Sequence, residues 1–328
     1  LSAVFTESGT DISKKMNSSF RFAHISDLHL TSLEDVKVSD LLNKRALGYL
    51  SWRLRRRREH APEVLTALLR DLRQLTLDHI VITGDLTHVG LPSEFQQARQ
   101  WLEALGAPTD VTVVPGNHDA YVQTAWDNTF ALWTPYMASD SGLRTITEQW
   151  PGCELFPSVR VRGRAALIGL TSACPSAPFF ATGSLGPTQL KRLDEILDQT
   201  GRQELFRILL IHHPPVAGTV GWRKRLTDGS ALSGLLARHG VEMVLHGHAH
   251  RPSLVHYSGT RGSFPVIGVP SSSALGRKPD RRARYHVYEV CPSPAGWAVR
   301  ISVRGYVLRD RCFLGEDQRD MAVPRSGN

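Results

Sequence analysis

Apolar residues fall in short runs along this chain, separated by polar punctuation. Phe22–Ile25, Ile80–Thr83, Val111–Val114, Ala166–Leu170, Ile208–Ile211 and Val241–Leu245 are each four or five residues long. Runs of that length, bounded by Gly, Pro and Asp, predict buried strands. Between several of them the spacing becomes helical: Val64, Leu65, Leu68, Leu69 and Leu72 share one face, as do Phe95, Ala98, Leu102 and Leu105. The second predicted helix opens on a Ser93/Gln96 capping pair and stops before Gly106. A third follows Pro187, with Leu190, Leu193 and Leu197 turned inward. Strands alternating with helices predict right-handed crossovers and a largely parallel sheet. The rhythm changes toward the end. Pro265–Val269, Tyr285–Val290 and Trp297–Val303 look like strands with no long helix between them, which predicts a second sheet packed on the first. The expected organisation is an N-terminal extension over 1–19, one α/β domain over 20–310 with an inserted cap over 41–60, and a tail over 311–328. No internal repeat is visible.

Composition narrows the class. The chain has 328 residues, 41% hydrophobic and 21% charged, enough to bury a substantial core. The net charge of +8 favours anionic partners, whether phosphate esters, nucleic acid or acidic lipid headgroups. Four cysteines, Cys153, Cys174, Cys291 and Cys312, form no Cys-x-x-Cys pair. This argues against a zinc knuckle or redox motif and predicts buried thiols in a reducing compartment. Residues 1–19 lack the apolar core of a signal peptide, and Met16 is a candidate start. No apolar run approaches the roughly 18 residues of a membrane-spanning helix. A cytoplasmic protein is expected, with peripheral membrane contact through 47–58 as an added option. In that stretch Leu47, Tyr49, Leu50, Trp52 and Leu54 lead into Arg55, Arg56, Arg57 and Arg58. It reads either as a solvated basic helix end or as a cap in which Arg55 and Arg56 meet an anionic substrate or lipid surface; nucleic acid is the third option.

The chemistry gathers just past the predicted strands. Asp27 and His29 stand in Asp-Leu-His, Asp85 in Gly-Asp-Leu-Thr-His, and Asn117 in Gly-Asn-His-Asp. His212 stands in His-His-Pro-Pro, and His248 and His250 in Gly-His-Ala-His. In a mostly parallel sheet, sites form at the carboxyl ends of strands, so these groups converge. Carboxylate, imidazole and amide oxygen suit two divalent ions such as Mn²⁺, Fe, Zn²⁺, Co²⁺ or Ni²⁺ better than calcium. Asp85 has two oxygens and can bridge. His118 stands beside the ligands, placed to protonate a leaving group. His88 is a candidate substrate contact. His24, His213 and His246 read as packing or supporting residues, and His60, His79, His239, His256 and His286 as ordinary ones. Ser271–Ser273 reads as a turn in preference to a phosphate contact.

Together these motifs resemble the calcineurin-like metallophosphoesterase family, across residues 22–250 and in the family's order. The resemblance implies a four-layer α/β/β/α sandwich of two mixed sheets flanked by helices. It implies that Asp27, His29, Asp85 and His250 hold one metal ion and that Asp85, Asn117, His212 and His248 hold the other. A metal-bridging hydroxide would attack phosphorus, with His118 as general acid supported by Asp119. His212 is preferred to His213 because the family's ligand follows its strand directly. The chain lacks the Asp-Arg-Gly and Gly-Asn-His-Glu patterns of protein phosphatases and the tyrosine of purple acid phosphatases. Its motif style is similar to bacterial phosphodiesterases, which implies a small phosphodiester or cyclic nucleotide as substrate. A UDP-2,3-diacylglucosamine pyrophosphatase, suggested by 47–58, and a non-catalytic scaffold are the alternatives. Oligomeric state is left open.

Overall fold

The computed structural model describes residues 19–141, 155–276 and 278–325. All of the expected extension except Ser19 therefore lies outside the described residues, as does Cys153. Two six-stranded mixed sheets make up the centre. In the first, β1 (Phe20–Ile25), β2 (His79–Ile82) and β3 (Val111–Val113) run parallel. β10 (Arg284–Ser293), β11 (Gly296–Val307) and β12 (Cys312–Val323) add antiparallel beyond β1. In the second, β5 (Ala165–Gly169), β6 (Phe206–Leu210), β7 (Met243–His246) and β9 (Gly262–Gly268) are parallel, with β4 (Ser158–Arg162) and β8 (Ser253–Gly259) as antiparallel edges.

The layers follow from side-chain alternation along the strands. On β6, Ile208 and Leu210 face the core shared with the first sheet, where Phe22, Ile25 and Val81 also lie. Their neighbours Leu209 and Ile211 face the opposite way, against Leu193, Ile196 and Leu197 of α4 (Gly186–Arg202) and Leu232 and Leu236 of α5 (Gly229–His239). Both faces are apolar, so β6 carries a continuous hydrophobic run. The first sheet is covered by α2 (Pro62–Arg73) and α3 (Pro92–Leu105), whose Leu68, Leu72, Phe95 and Leu102 are buried. The result is the expected four-layer arrangement, helices outside two sheets.

Four local expectations differ. The late strands do not build a separate second sheet. β10–β12 extend the first, and the parallel strands divide between the two. Alternation shows which faces are buried but not which edge a strand joins. Residues 312–323 are not a tail but the edge strand β12, paired with β11 over its length. An ion pair ties the β11 end of this sheet to α2: Arg304 donates to both oxygens of Asp71 at 2.6 and 2.7 Å, and the Tyr285 hydroxyl also donates to Asp71. The helix α3 starts at Pro92, before the Ser93/Gln96 pair. Its buried cap is Glu94, which accepts from the backbone N–H groups of His88, Val89 and Leu91 at 2.6–3.1 Å. Cys174, Cys291 and Cys312 are free thiols, half-buried instead of buried. No helix among the described residues is long and apolar enough to cross a membrane.

Candidate metal centre

Five loops deliver the site: those after β1, β2 and β3 in one sheet, and after β6 and β7 in the other. The first two stay zipped past their strands, through Asp27 N–H to Gly84 O (3.0 Å), His29 N–H to Asp85 O (2.9 Å) and Leu30 N–H to Leu86 O (2.8 Å). The loops of β6 and β7 join through Gly247 N–H to His212 O at 3.2 Å. Gly247 is where the two sheets meet: a Cβ there would lie 1.9 Å from Ser26 Oγ and 2.5 Å from Asp27 Oδ2. Only glycine allows that approach.

The donor atoms converge. Asp27, His29, Asp85 and His250 offer ligand atoms all within 4.8 Å of one another, and Asp85, His212 and His248 form a second such group. Asp85 belongs to both. Asn117 Oδ1 lies 3.2 Å from His212 Nε2, placing the amide oxygen in the second group.

Hydrogen bonding leaves the right atoms free. His29 Nδ1 faces Thr87 O at 2.9 Å, His212 Nδ1 faces Thr83 O at 2.7 Å, and His248 Nε2 faces Lys224 O at 3.0 Å. A carbonyl can only accept, so each of these nitrogens carries the proton. In the neutral ring the other nitrogen presents a lone pair to the cluster, the arrangement a metal-binding histidine needs. His29 Nε2 is buried with no hydrogen-bond partner, and buried Asp27 Oδ1 has only His250 Nε2 beside it, at 3.1 Å. Asp27 Oδ2 is occupied, accepting from Ser26 Oγ at 2.7 Å and His248 N–H at 3.0 Å. Buried lone pairs with no donor are costly unless a cation takes them. The residues fit two divalent ions.

Electrostatics agree. Burial, then neighbouring His60, push His29 well below the usual histidine range; burial, then His213, do the same to His248. Both rings are neutral, as ligands must be. At His212 burial is outweighed by Asp85, which pushes the ring up to about 9. A metal ion must displace that proton.

The other predicted residues separate. The His118 ring sits edge-on to His29, centroids 5.0 Å apart, and its Nδ1–H donates to His88 O at 2.5 Å. Asp119 does not touch that ring. Its carboxylate accepts from the backbone N–H groups of Asp85, Leu86, Thr87 and Gly116 at 2.8–3.0 Å, clamping two ligand loops together. Burial and then Asp85 push its carboxyl up to about 7, against the Gly116 and Thr87 N–H donors. His88 is buried and stacked on His29, centroids 5.0 Å apart, behind the site instead of facing a substrate. The cap arginines diverge. Arg56 points inward, its Nη1 2.8 Å from His118 Nε2, while Arg55 is exposed with no contact to the site. His213 faces away, its ring nitrogens held by Ser172 Oγ at 2.8 Å and Ala181 O at 3.2 Å.

Sequence reasoning missed three participants. His60 is buried against His29, centroids 4.4 Å apart, and bonds Ser273 Oγ at 2.7 Å. Ser271 Oγ donates to Asp27 O at 2.7 Å, so the serine loop braces a ligand loop instead of making a plain turn. Lys224 lies near enough to Arg56, Asp27 and Asp85 for burial and then Arg56 to lower its pKa. The serine run was the one visible signal among these.

The chain belongs to the calcineurin-like phosphoesterase family, whose sequence model matches residues 20–252. It is 28% identical over 240 residues to a probable cyclic nucleotide phosphodiesterase of Synechococcus sp., covering 72% of this chain and 80% of the relative. It is 25% identical over 255 residues to a 3′,5′-cyclic-nucleotide phosphodiesterase of Nostoc sp., covering 76% and 77% of the two chains. A solved dimetal phosphatase of Danio rerio shares the fold, with a TM-score of 0.57 at 14% identity over 93% of this chain and 99% of that one.

Proposed function

We propose that the chain is a two-metal phosphodiesterase acting on small phosphodiesters, cyclic nucleotides among them. The observation that carries this reading is Asp85 shared between two donor groups, with His29, His212 and His248 each held by a backbone carbonyl through the nitrogen that faces away from the cluster. Asp27, His29, Asp85 and His250 hold one ion; Asp85, Asn117, His212 and His248 hold the other. Bound there, the ions lower the pKa of water and stabilise charge on a phosphoryl oxygen. Arg56 and Lys224, both near Asp27 and Asp85, supply positive charge that orients the diester's anionic oxygens. An entering phosphate competes with His118 for the Arg56 guanidinium. His118 Nε2 then faces the leaving oxygen, while the bond from Nδ1 to His88 O keeps the ring oriented. Asp119 is a positioning residue that acts through the backbone of the ligand loops. The substrate class draws support from the two cyclic nucleotide phosphodiesterases similar to this chain.

The test is hydrolysis of bis-p-nitrophenyl phosphate and of 3′,5′-cyclic nucleotides before and after chelation, with bound metal counted in parallel. Activity should vanish on stripping and return with Mn²⁺, at close to two ions per chain. Full turnover by metal-free protein would overturn the reading.

A further inference from the structure

The cap carries an apolar surface that the site does not use. Twelve large apolar side chains are exposed among the described residues, and five of them, Val38, Leu42, Leu47, Leu50 and Leu54, crowd into one short segment. Scattered singly they would be ordinary. Here Val38, Leu42, Leu50 and Leu54 are 79%, 81%, 52% and 67% exposed. On the helix α1 (Arg45–Leu54), Leu47, Leu50 and Leu54, spaced by three and four, share one outward stripe, and Val38 and Leu42 precede it in the adjoining turn.

The opposite face explains why the stripe stays outside. Trp52 is buried with Leu33, Val89 and Leu91, and a Cβ on Gly48 would lie 2.6 Å from Val89 Cγ1. The helix is thus pinned to the body by one face and presents leucines on the other. It cannot roll over to hide them.

Charge selects the occupant. Residues 34–60 contain eight Lys or Arg against four Asp or Glu. Arg53, Arg55 and Arg58 are exposed, and no ion-pair partner is recorded for any of them among the described residues. Leucines on an outer face, flanked by free guanidinium groups, match a bilayer with anionic headgroups: acyl chains take the leucines and phosphates take the arginines. A protein partner of mixed charge would leave those arginines unmatched.

We infer that the outer face of 38–58 docks on the surface of an anionic phospholipid bilayer. This goes beyond the phosphodiesterase reading and does not depend on it. It also places Arg56, in the same segment, between the bilayer and the metal cluster.

The experiment is co-sedimentation of the full chain with phosphatidylcholine vesicles, with and without phosphatidylglycerol. The protein should pellet with anionic vesicles, stay in solution with neutral ones, and release as salt rises. L50S/L54S and R53S/R58S should each lose binding. The arginine pair should weaken it about thirtyfold, at roughly fivefold per basic residue. Neither variant alters the ligand shell, so metal content and bis-p-nitrophenyl phosphate turnover should hold. Wild-type protein that ignores anionic vesicles overturns the inference, as do variants that pellet like wild type. A wild-type dimer in sedimentation velocity that L50S/L54S converts to monomer, with no vesicle binding, would assign the stripe to a second copy instead.

Discussion

Four consecutive arginines allow a sharp comparison, because only one turns inward. Arg56 is largely desolvated, and burial lowers its pKa with Asp85 as the main opposing influence. Its hydrogen bond goes to the His118 ring, from Nη1 to Nε2 at 2.8 Å, and not to a carboxylate. A guanidinium held that way costs folding energy, because an imidazole returns little for the lost hydration. A phosphodiester monoanion would return it. Truncation in R56A then removes one charge-assisted contact, worth about 1.5–3 kcal/mol, or roughly 10- to 150-fold in kcat/KM. The melting temperature should hold or rise, since the buried charge is gone. R56K should recover part of the activity, as a point charge without the planar fork. R55A should match wild type within about twofold, because surface charges so placed contribute little. The assay is kcat/KM on bis-p-nitrophenyl phosphate with metal-replete enzyme, beside a thermal melt. Equal effects of R55A and R56A, or R56A activity within threefold of wild type, would refute the inward role of Arg56.

Three more outcomes follow from the site and its surroundings. D85N should lose most of both bound ions, because Asp85 belongs to both donor groups; retention of one full equivalent of metal by mass spectrometry would show that it does not bridge. H212A should lose one ion while H213A keeps two, since the His213 ring is tied to Ser172 and Ala181; metal loss in H213A would reverse the assignment. His79, buried between β2 and β3 with its Nε2 2.7 Å from Thr112 Oγ1, is pushed down to about 3, by burial first and then Arg162 and Arg160. Only the unfolded chain takes up this proton near pH 5, so its contribution to stability is full above about pH 6.5 and lost as pH falls toward about 3. Between pH 7 and pH 5 the loss is about 2 kcal/mol. H79Q should flatten the unfolding free energy against pH by that amount, and an unchanged slope would remove His79 as its source.

The legible parts of the molecule share a cause. The β6 run and the helical spacing of Leu68 and Leu72 report burial, and burial is set by side chains within a few residues. The candidate donor cluster was legible because Asp-x-His, Gly-Asn-His and Gly-His-x-His place scarce donor types at strand ends. Whatever depends on contact between distant segments was not. β12 has an alternation dominated by charge, since Glu316, Asp317, Arg319 and Asp320 face solvent along an edge. Such a strand is built to avoid further pairing and resembles a loop. His60 stands at the end of the cap, far along the chain from the ligand motifs, and only folding brings it against His29. The four arginines are identical as letters; the turn Arg56–Arg58 after α1 decides which one faces the donor cluster.

The backbone of the ligand loops shows what the site costs and what holds it. Asp27, His29, Asp85, His248 and His250 have φ of 52°, 44°, 57°, 65° and 49°, all in the left-handed region. For residues with a Cβ that conformation costs about 1–2 kcal/mol each, somewhat less for Asp. Asp27/His29 and His248/His250 are i, i+2 pairs with both members strained. Each pair curls its loop so that both side chains reach the same cluster, with Leu28 buried between the first two. Strain of this kind persists only where the surroundings over-determine it. Asp119 does so for Asp85 through four backbone N–H groups, and the Ser271 hydroxyl and Gly84 carbonyl do so for Asp27. Asp119 and Ser271 therefore belong to the site as firmly as the ligands, although neither offers an atom to it. Metal binding adds to the same balance from the other side, since ions held by the folded state alone offset the strain. The local rules of backbone preference fail in this chain where the donor atoms converge, and the hydrogen bonds that compensate come from segments far apart in sequence.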